Sequence, residues 1–431
     1  MTRRFSLSTL GCRANQADSA RLRAILLGAG FEERPFGEAV DCSIVNTCTV
    51  TAEADRKSRQ LLTRALRVIP DSGQVVATGC AVASRGGLKQ LPGAVLRLPP
   101  DQREGLLDLL DVEACPGRET LPVVHRTTRA LLKIQDGCDQ FCTFCIVPYV
   151  RGRSKSVALE DIVAQAQAFE RQGYSEIVLT GIHLSIWGHD LAGTPDLSHL
   201  ASAILKATNS IRLRLASVEP DRFPLELIHL MAVEPRLCPY LHLVLQHASD
   251  AILERMHRGY NLAHYDKLVT EFFSRVPQAT LSSDIMVGFP GESEADFQAL
   301  VRYLRATPYY HLHVFPYSSR PGTAASKFSD SVSDEVKKRR RDVLLKLAAK
   351  KKAEALRTMI GQRTTVVFEG DHKPGWLKGT AHNGMALAAR AGAALRKREA
   401  EVEVTRHEGG YLIGRVDTEE KGLALSAGGQ D

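Results

Sequence analysis

The sequence predicts an α/β protein with an N-terminal parallel α/β sheet domain, a partial (β/α)6 barrel and a small C-terminal β-barrel. Two observations lead to this class. Short apolar runs alternate with helical stretches over most of the chain, at a spacing of about thirty residues that is typical of β-α repeats. After residue 360 the helical stretches give way to short strands and polar turns. We therefore place domains at 1–115, 125–333 and 361–425, with a basic helix at 334–360 linking the last two.

The composition is that of an ordinary globular protein, with 44% hydrophobic and 24% charged residues. No apolar run approaches the length that a membrane span needs, so we expect no membrane partner. The first twelve residues are basic but lack a long apolar stretch, and they predict a first strand instead of a signal peptide. Nine cysteines without an export signal indicate a reducing, cytoplasmic compartment and metal ligation.

Three cysteines in the N-terminal domain each follow a short apolar run. The runs are 5–10, 42–47 and 74–79, and the cysteines are Cys12, Cys48 and Cys80. Helical stretches at 17–29 and 52–68 separate them, which makes each run a strand of a parallel sheet. Because parallel strands end at the same edge of their sheet, the three cysteines can converge in space. The spacing alone leaves a metal site and three buried cysteines equally open.

A second set of three cysteines, Cys138, Cys142 and Cys145, has the spacing C-x3-C-x2-C after a strand at 131–135. A loop this short can direct three thiolates at one metal centre. A cubane iron–sulfur cluster usually has four cysteine ligands, so three cysteines leave one iron open to a substrate or cofactor. The alternatives are a zinc site of the Cys3His kind, with His125 upstream, and three buried structural cysteines.

The middle of the chain predicts six β-α units, which suggests an open, partial barrel. Strands are predicted at 131–135, 176–180, 212–216, 242–245, 282–287 and 311–315. Helices are predicted at 159–171, 197–207, 263–273 and 294–304, the last opened by a variant capping box of Ser293 and Asp296. Barrel sites lie at the carboxyl ends of the strands, so the polar residues there are the candidates for ligand binding.

The local sequences around both cysteine sets resemble the radical S-adenosylmethionine (SAM) methylthiotransferases. The second set closely resembles the cluster loop of radical-SAM enzymes, and segments 11–16, 46–51, 54–59 and 79–81 resemble the N-terminal domain of this family. The resemblance implies two [4Fe–4S] clusters. Cys138, Cys142 and Cys145 would hold the catalytic cluster that binds and cleaves SAM, and Cys12, Cys48 and Cys80 an auxiliary cluster. Cys42, Cys115 and Cys238 match no ligand position, and we interpret them as buried or incidental.

The same resemblance makes the middle domain a radical-SAM partial barrel and implies that residues at its strand ends contact SAM. The predicted cofactor-binding residues are Gly181, Ser217, Glu219, Gln246, Asp284 and Gly288. Segment 283–292 resembles the family segment in which glycine lets the backbone approach SAM. His183 and Tyr317 are equally open to contacting the ligand or lying in a solvated loop. Arg151 either faces phosphates or SAM, or carries ordinary surface charge.

The helix predicted at 334–360 carries ten lysines and arginines against four acids. Such a run is usually a solvated helix face, but it also suits the phosphate backbone of a nucleic acid. Strands predicted at 364–369, 385–390, 401–405 and 411–415 make a small barrel, although the alanines of the second strand also suit a helix. The size and placement of this module resemble the TRAM domain of RNA-modifying members of the family.

The best match within the family is the branch that acts on N6-threonylcarbamoyladenosine next to the anticodon of tRNA, on segments 46–51, 54–59 and 179–183. The implied reaction replaces the C2 hydrogen of the adenine with a methylthio group. The implied partners are the tRNA anticodon stem-loop, an electron-donor protein and a sulfur source. Methylthiolation of isopentenyladenosine in tRNA or of a ribosomal-protein aspartate stays open, as does a non-catalytic iron–sulfur or zinc RNA-binding protein.

Overall fold

The structure is a computed structural model that describes residues 2–84, 94–112, 123 and 127–417. Its N-terminal part is a parallel five-stranded sheet in the order β2-β1-β3-β4-β5, flanked by helices. The strands are β1 (Arg4–Thr9), β2 (Glu32–Glu33), β3 (Cys42–Thr47), β4 (Gln74–Gly79) and β5 (Val95–Leu98). The helices are α1 (Arg13–Gly28), α2 (Ala52–Val68), α3 (Cys80–Ala83) and α4 (Leu106–Leu109). Every residue of β3 is buried, as expected of a central parallel strand covered on both faces.

The middle part is a parallel, partial barrel, as predicted. The strands of this region are β6 (Ala130–Lys133), β7 (Gln135–Asp136), β8 (Lys155–Ser156), β9 (Glu176–Thr180), β10 (Arg212–Leu215), β11 (Ser217–Val218), β12 (Tyr240–Leu243), β13 (Thr280–Val287) and β14 (Tyr309–Pro316). Strands β7 and β8 pair with each other in a separate antiparallel sheet, and the others form the barrel. One sheet has the order β10-β9-β6 and the next β11-β12-β13-β14, and only Ala216 separates β10 from β11. Within the described residues no pairing joins β6 to β14, so the barrel stays open on that side.

Seven helices accompany these strands. Six of them bury apolar side chains in the barrel core, whereas Val150 of the first helix packs with Cys80 of the N-terminal part. The seven helices are α5 (Val147–Arg151), α6 (Leu159–Arg171), α7 (Leu197–Ala207), α8 (Leu225–Val233), α9 (Asp250–Arg255), α10 (Leu262–Arg275) and α11 (Glu294–Ala306). The capping box at the start of α11 is confirmed, because the Ser293 hydroxyl accepts from the Asp296 N–H while the Asp296 carboxylate accepts from the Ser293 N–H. Helix α6 has the predicted bounds.

A long helix, α12 (Asp334–Thr358), leads from the barrel to the C-terminal module. It packs along β14 and, at 1.5 Å per residue, is about 38 Å long. Its charged sequence contrasts with a membrane span, and no helix in the described ranges is long and apolar enough to cross a bilayer. Leu344 and Leu356 of α12 are buried, and so are Arg340 and Lys351.

The C-terminal module is a closed five-stranded barrel in the order β15-β16-β17-β19-β18. Its strands are β15 (Arg363–Lys373), β16 (Trp376–Ala381), β17 (Ala386–Arg390), β18 (Glu399–Glu408) and β19 (Tyr411–Val416). The sequence analysis missed β16. This strand contains Gly379, at which a Cβ would come within 2.2 Å of the Val367 carbonyl oxygen. Close packing of two backbones requires glycine there, although glycine weakens a strand pattern.

The C-terminal barrel docks against the amino ends of the strands of the partial barrel, on the side opposite their carboxyl ends. Arg212, at the start of β10, donates to the Thr365 hydroxyl at 2.8 Å. Arg214 donates to the carbonyl oxygens of Ala381 and His382, both at 3.2 Å. Both arginines also pair with the buried carboxylate of Glu176. The C-terminal module therefore closes the lower end of the partial barrel.

Candidate functional site

The first cysteine set lies at one edge of the N-terminal sheet. Cys12 is the N-cap of α1, Cys48 directly follows β3, and Cys80 is the first residue of α3 after β4. Since β1, β3 and β4 are neighbours in a parallel sheet, their carboxyl ends bring these residues together. Cys48 and Cys80 are buried and Cys12 is exposed.

The second cysteine set lies on a loop whose backbone is held from several sides. The Thr143 N–H donates to the Met256 carbonyl at 3.0 Å, and the Thr143 carbonyl accepts from the Ala325 N–H at 2.8 Å. Gly137, just before Cys138, has φ +71°, and a Cβ there would come within 2.0 Å of the Arg153 carbonyl oxygen. Phe141 inside the loop has φ +48°, a strained value for a residue with a side chain.

A cavity of about 560 Å³ lies between the two cysteine sets. All three cysteines of the first set line it, together with Cys145 of the second set. The carboxyl ends of β13 and β14 form another wall. Much of the remaining lining is apolar and comes from Val50, Phe144, Ile146, Val147, Ile182, Met286, Phe315 and Pro316. Its volume falls in the range of small-molecule sites, and the mainly apolar lining with a few polar groups is typical of them.

Two buried arginines connect the cysteine sets across the domain boundary. Arg151, at the end of α5, has a side chain only 1% exposed, and its Nε lies 3.3 Å from the Cys80 Sγ. Arg320, in the loop after β14, donates to the Thr49 hydroxyl at 2.9 Å and pairs with Asp55. Thr49 directly follows Cys48 in the sequence. Each arginine therefore ties a cysteine of the first set to the domain that carries the second set.

Two polar pairs surround the second cysteine set. The Cys138 Sγ lies 3.7 Å from His183 Nδ1, and His183 Nε2 lies 3.5 Å from an Asp221 carboxylate oxygen. The Cys142 Sγ accepts from Arg258 at 3.3 Å, and Arg258 also pairs with Glu219. Each of these two cysteines thus has a cationic or polar partner that is balanced by a carboxylate.

The six predicted SAM contacts occupy different surroundings. Asp284 lines the cavity and lies 3.1 Å from His313 and 3.3 Å from His242. Burial alone would raise the pKa of Asp284, but the two histidines outweigh it and hold the pKa well below its usual range. Gln246 has φ +62° and a buried side-chain oxygen without a hydrogen-bond partner among the described residues. Such a strained, unsatisfied group is expected at a ligand site.

The other four positions differ in how close they lie to the cysteines. Glu219 reaches the second set through Arg258, while Gly181 packs against the Gln135 side chain at the carboxyl end of β9. Ser217 is exposed at the start of β11. Gly288 does not line the cavity: its N–H donates to Glu292, and a Cβ would come within 2.2 Å of the Lys337 side chain.

Burial affects the protonation of thiols in both cysteine sets. Burial raises the pKa of Cys48 and of Cys142 to about 11 and that of Cys145 to about 12, so these thiols are protonated near neutral pH unless a metal displaces the proton. In the described ranges no three ligating side chains surround a point that could hold a single metal ion. Three cysteines at each set fit the donor chemistry of an iron–sulfur cluster, in which each thiolate binds a different iron.

The sequence analysis did not identify Arg258 or Arg320, and it left Arg151 open between surface charge and ligand contact. Arg258 lies 116 positions after Cys142, and Arg320 lies 265 after Asp55. No local pattern distinguishes these arginines from solvated ones. Cys42 and Cys238 are buried, as expected, whereas Cys115 and His125 lie outside the described residues.

Comparison with known proteins gives two family matches. Residues 132–304 match the Radical SAM superfamily, and residues 4–94 match the uncharacterized protein family UPF0004. Among solved structures, the radical SAM methyltransferase TsrM from Kitasatospora setae, with cobalamin and a [4Fe-4S] cluster bound, superposes with a TM-score of 0.54 at 16% identity. It covers 75% of this chain and 77% of its own, which shows a shared fold. Membership of the Radical SAM superfamily implies a [4Fe–4S] cluster and SAM as cofactors.

Curated relatives extend the similarity over most of the chain. The threonylcarbamoyladenosine tRNA methylthiotransferase MtaB of Aquifex aeolicus is 37% identical over 81% of this chain and 89% of its own. The tRNA-2-methylthio-N(6)-dimethylallyladenosine synthase of Nitratidesulfovibrio vulgaris is 35% identical over 86% and 88%. The ribosomal protein uS12 methylthiotransferase RimO of an Anaeromyxobacter species is 34% identical over 86% and 82%. With its two cysteine sets facing one cavity, the chain belongs to the radical-SAM methylthiotransferase family and is an enzyme of that kind.

Proposed function

We propose that this enzyme adds a methylthio group to C2 of N6-threonylcarbamoyladenosine next to the anticodon of tRNA. The observation that carries the proposal is the cavity of about 560 Å³ lined by cysteines of both sets. A base placed in this cavity lies between the two cysteine sets, and methylthiolation by radical-SAM chemistry needs both. The MtaB relatives of Aquifex aeolicus and Bacillus subtilis, at 37% and 34% identity, support this nucleoside as the substrate.

The two cysteine sets have separate tasks in this proposal. Cys138, Cys142 and Cys145 hold the radical-SAM cluster, and Cys12, Cys48 and Cys80 hold an auxiliary [4Fe–4S] cluster. When bound, these groups supply the electron that cleaves SAM to a 5′-deoxyadenosyl radical and the site at which sulfur is presented. Gly181, Ser217, Glu219, Gln246, Asp284 and Gly288 remain the proposed SAM-binding residues, with Asp284 and Gln246 best supported by their surroundings.

The protein's own contribution is to orient the base and exclude water. The apolar lining, including Phe144, Met286 and Phe315, holds a planar base while shielding a radical from solvent. Bases of the anticodon loop are already unstacked, so the substrate needs no extrusion from a duplex. We place the enzyme in the cytoplasm, with an electron-donor protein and a sulfur source as further partners.

The test of the proposed function is nucleoside mass spectrometry of tRNA from cells with and without this protein. We expect the methylthio derivative of N6-threonylcarbamoyladenosine to disappear with the gene and to return with the wild-type chain. Loss of methylthio-isopentenyladenosine, or of methylthio-aspartate in a ribosomal protein, would assign a different substrate. No change in any methylthio product, together with no SAM cleavage by the reduced protein, would leave a non-catalytic RNA-binding protein.

We expect about eight irons per chain after reconstitution without oxygen, since two sites would each hold a four-iron cluster. Replacing Cys12, Cys48 and Cys80 together with Ala should leave about four irons, and so should replacing Cys138, Cys142 and Cys145. An iron assay and the charge-transfer absorbance measure the cluster content of the wild type and of both triple variants. The second cluster would be refuted if the wild type held only about four irons and if these irons were lost in only one of the two triple variants.

Part of α12 is available for RNA phosphates. Arg340 pairs with Glu292 and Glu294, and Lys351 donates to the Arg305 carbonyl, so these two cations support the fold. Lys346 and Lys350 line a groove of about 650 Å³ between α11 and α12, where Lys350 makes only a long, exposed contact of 3.9 Å with Glu354. The helix begins beside the cavity, where Lys337 lies 5.9 Å from the ring of Tyr317, and it ends at the C-terminal, TRAM-like barrel.

Reversing the charge at Lys346 and Lys350 to Glu should weaken tRNA binding and flatten its salt dependence. If each lysine neutralises one phosphate, the slope of log K against log salt falls in magnitude by about 1.5. The matched control is K206E with K267E, two exposed lysines on α7 and α10 that give the same change in net charge. Equal slopes for the two double variants would contradict an RNA-binding role of the groove.

We choose point variants for this test because deleting the C-terminal barrel would also disturb the catalytic barrel. Arg212 and Arg214 donate to atoms of that module, and a deletion would remove these partners from buried cations. A truncated chain would therefore lose stability as well as any RNA contacts, and the two effects could not be separated.

A further inference from the structure

Arg151 occupies an unusual place between the two domains. It follows the second cysteine set in sequence, yet its side chain lies against the first set. The Nε atom donates to the Cys80 Sγ at 3.3 Å, while the two terminal nitrogens pair with Asp136 at 2.7 Å and with Asp18 at 3.1 Å. A third acceptor is the side-chain oxygen of Asn15. The guanidinium is thus fixed in one orientation with its Nε directed at a sulfur atom.

The charges around Arg151 do not cancel. Asp18 and Asp136 are the two carboxylates that pair with Arg151. Both also pair with Arg103, at 3.1 Å and 3.0 Å. Lys133 pairs with the same two carboxylates. Among the described residues, three cations therefore share two carboxylates between largely buried side chains, which leaves one positive charge in excess. An uncompensated buried charge costs free energy. The one hydrogen bond of Arg151 described above that does not go to an oxygen is the bond from its Nε to the Cys80 sulfur.

The second cysteine set lacks such an excess. Arg258, which donates to Cys142, is balanced by Glu219, and His183, beside Cys138, is balanced by Asp221. The surplus charge is therefore specific to the site on Cys12, Cys48 and Cys80. An anion is the chemical partner it requires, and cluster-bound thiolates are such an anion.

We propose that Arg151 is a positioning residue for the auxiliary cluster, which donates a hydrogen bond to the Cys80 sulfur and raises the reduction potential of that cluster. The inference rests on the proposed function, because it requires a cluster on the first cysteine set. Hydrogen bonds to sulfur and the net charge nearby are two of the factors that set cluster potentials. A positive charge favours the more negative, reduced cluster, so its removal lowers the potential.

The test uses the full chain with Cys138, Cys142 and Cys145 replaced by Ala, so that only the auxiliary cluster remains. In this background the midpoint potential and the EPR spectrum are measured for the parent, R151Q, D136N and R153Q. R151Q leaves Asp18 and Asp136 with Arg103 and Lys133 as partners, which favours a folded protein. Arg153 is the matched control, because it is two residues away and its side chain is 75% exposed.

We expect R151Q to shift the potential to more negative values and D136N, which removes a nearby negative charge, to shift it to more positive values. R153Q should match the parent. Opposite shifts report charge, whereas a merely structural role would change the melting temperature of R151Q without changing its potential. A folded R151Q with full iron and the parent's potential would overturn the inference. If R151Q does not retain its iron, the D136N variant provides the test. A midpoint potential of D136N equal to that of the parent would then overturn the inference.

The two possible failures are distinguishable. A parent protein that holds no iron in this background would refute the auxiliary cluster itself and with it that part of the proposed function. A parent with about four irons and a potential insensitive to Arg151 would refute only the inference drawn here.

Discussion

The variant Cys142→Ala should release no 5′-deoxyadenosine and make no methylthio product, whereas Cys48→Ala should still cleave SAM but make no methylthio product. Cys142 belongs to the loop beside the barrel's strand ends, where Arg258 and Glu219 lie. Cys48 directly follows β3 of a separate sheet and faces the same cavity from the other side. Removing one ligand therefore disables one site and leaves the other.

The measurement compares 5′-deoxyadenosine and modified tRNA in the same reactions. Cys42→Ala is the matched control. Cys42 is a buried cysteine at the start of β3, the strand that precedes Cys48, and it does not line the cavity. This variant should retain both products. Methylthiolated tRNA from the Cys48 variant, or 5′-deoxyadenosine from the Cys142 variant, would refute the division of tasks between the two sets.

Replacing Glu176 with Gln should destabilise the protein by about 3–5 kcal/mol, because it breaks a buried ion-pair network. The Glu176 carboxylate is fully buried and accepts from Arg214 at 2.7 Å and from Arg212 at 3.0 Å. Without its charge Arg214 keeps only neutral oxygen acceptors, and Arg212 keeps one ion pair, at 3.2 Å, with the more exposed Glu399 of β18. Chemical denaturation measures the loss, and Glu254→Gln, an exposed position on α9, should stay within about 0.5 kcal/mol of the wild type.

The same carboxylate predicts an acid transition. Burial alone would raise the pKa of Glu176, but the charges of Arg214, Arg212 and Arg129 outweigh it and lower the pKa to about 2. A group with a depressed folded pKa stabilises the protein above its unfolded pKa of about 4.3, and this contribution is lost as the pH falls towards 2. It amounts to roughly 3 kcal/mol. Stability that falls equally between pH 5 and pH 2 in the wild type and in E176Q would contradict this assignment.

The features predicted correctly from the sequence are those with a local physical cause. Helix α2 and helix α6 have the predicted bounds, and Ser293 with Asp296 starts α11, because side-chain caps and apolar periodicity act over a few residues. The first cysteine set could be grouped because parallel strands deliver their ends to one edge, and the second because its C-x3-C-x2-C spacing is local. Helix α8 was not predicted, since its sequence is apolar on almost every side and lacks a helical period.

The long-range polar contacts could not be predicted. Arg151, Arg258 and Arg320 each contact the site through partners distant in sequence, and nothing near them marks a buried cation. The basic helix α12 was also only partly predictable, because some of its cations are paired in the fold. Its sequence predicts one continuous charged face, but the acids of α11 neutralise Arg339 and Arg340, so only part of the charge is available to a ligand. Whether a cation is paired depends on the packing of distant elements.

The bond between Arg320 and Asp55 has a consequence for the order in which the protein is made. Cys12, Cys48 and Cys80 are translated first, and their sheet can form early. The loop after Cys48 gains its buried partner only once Arg320 has been synthesised, 265 residues after Asp55. The first cysteine set to be translated is thus completed only near the end of barrel synthesis, as is the second set, whose loop needs Ala325. Cofactor insertion at this site is therefore best timed after release of the full barrel from the ribosome, when the arginine that holds the loop is in place.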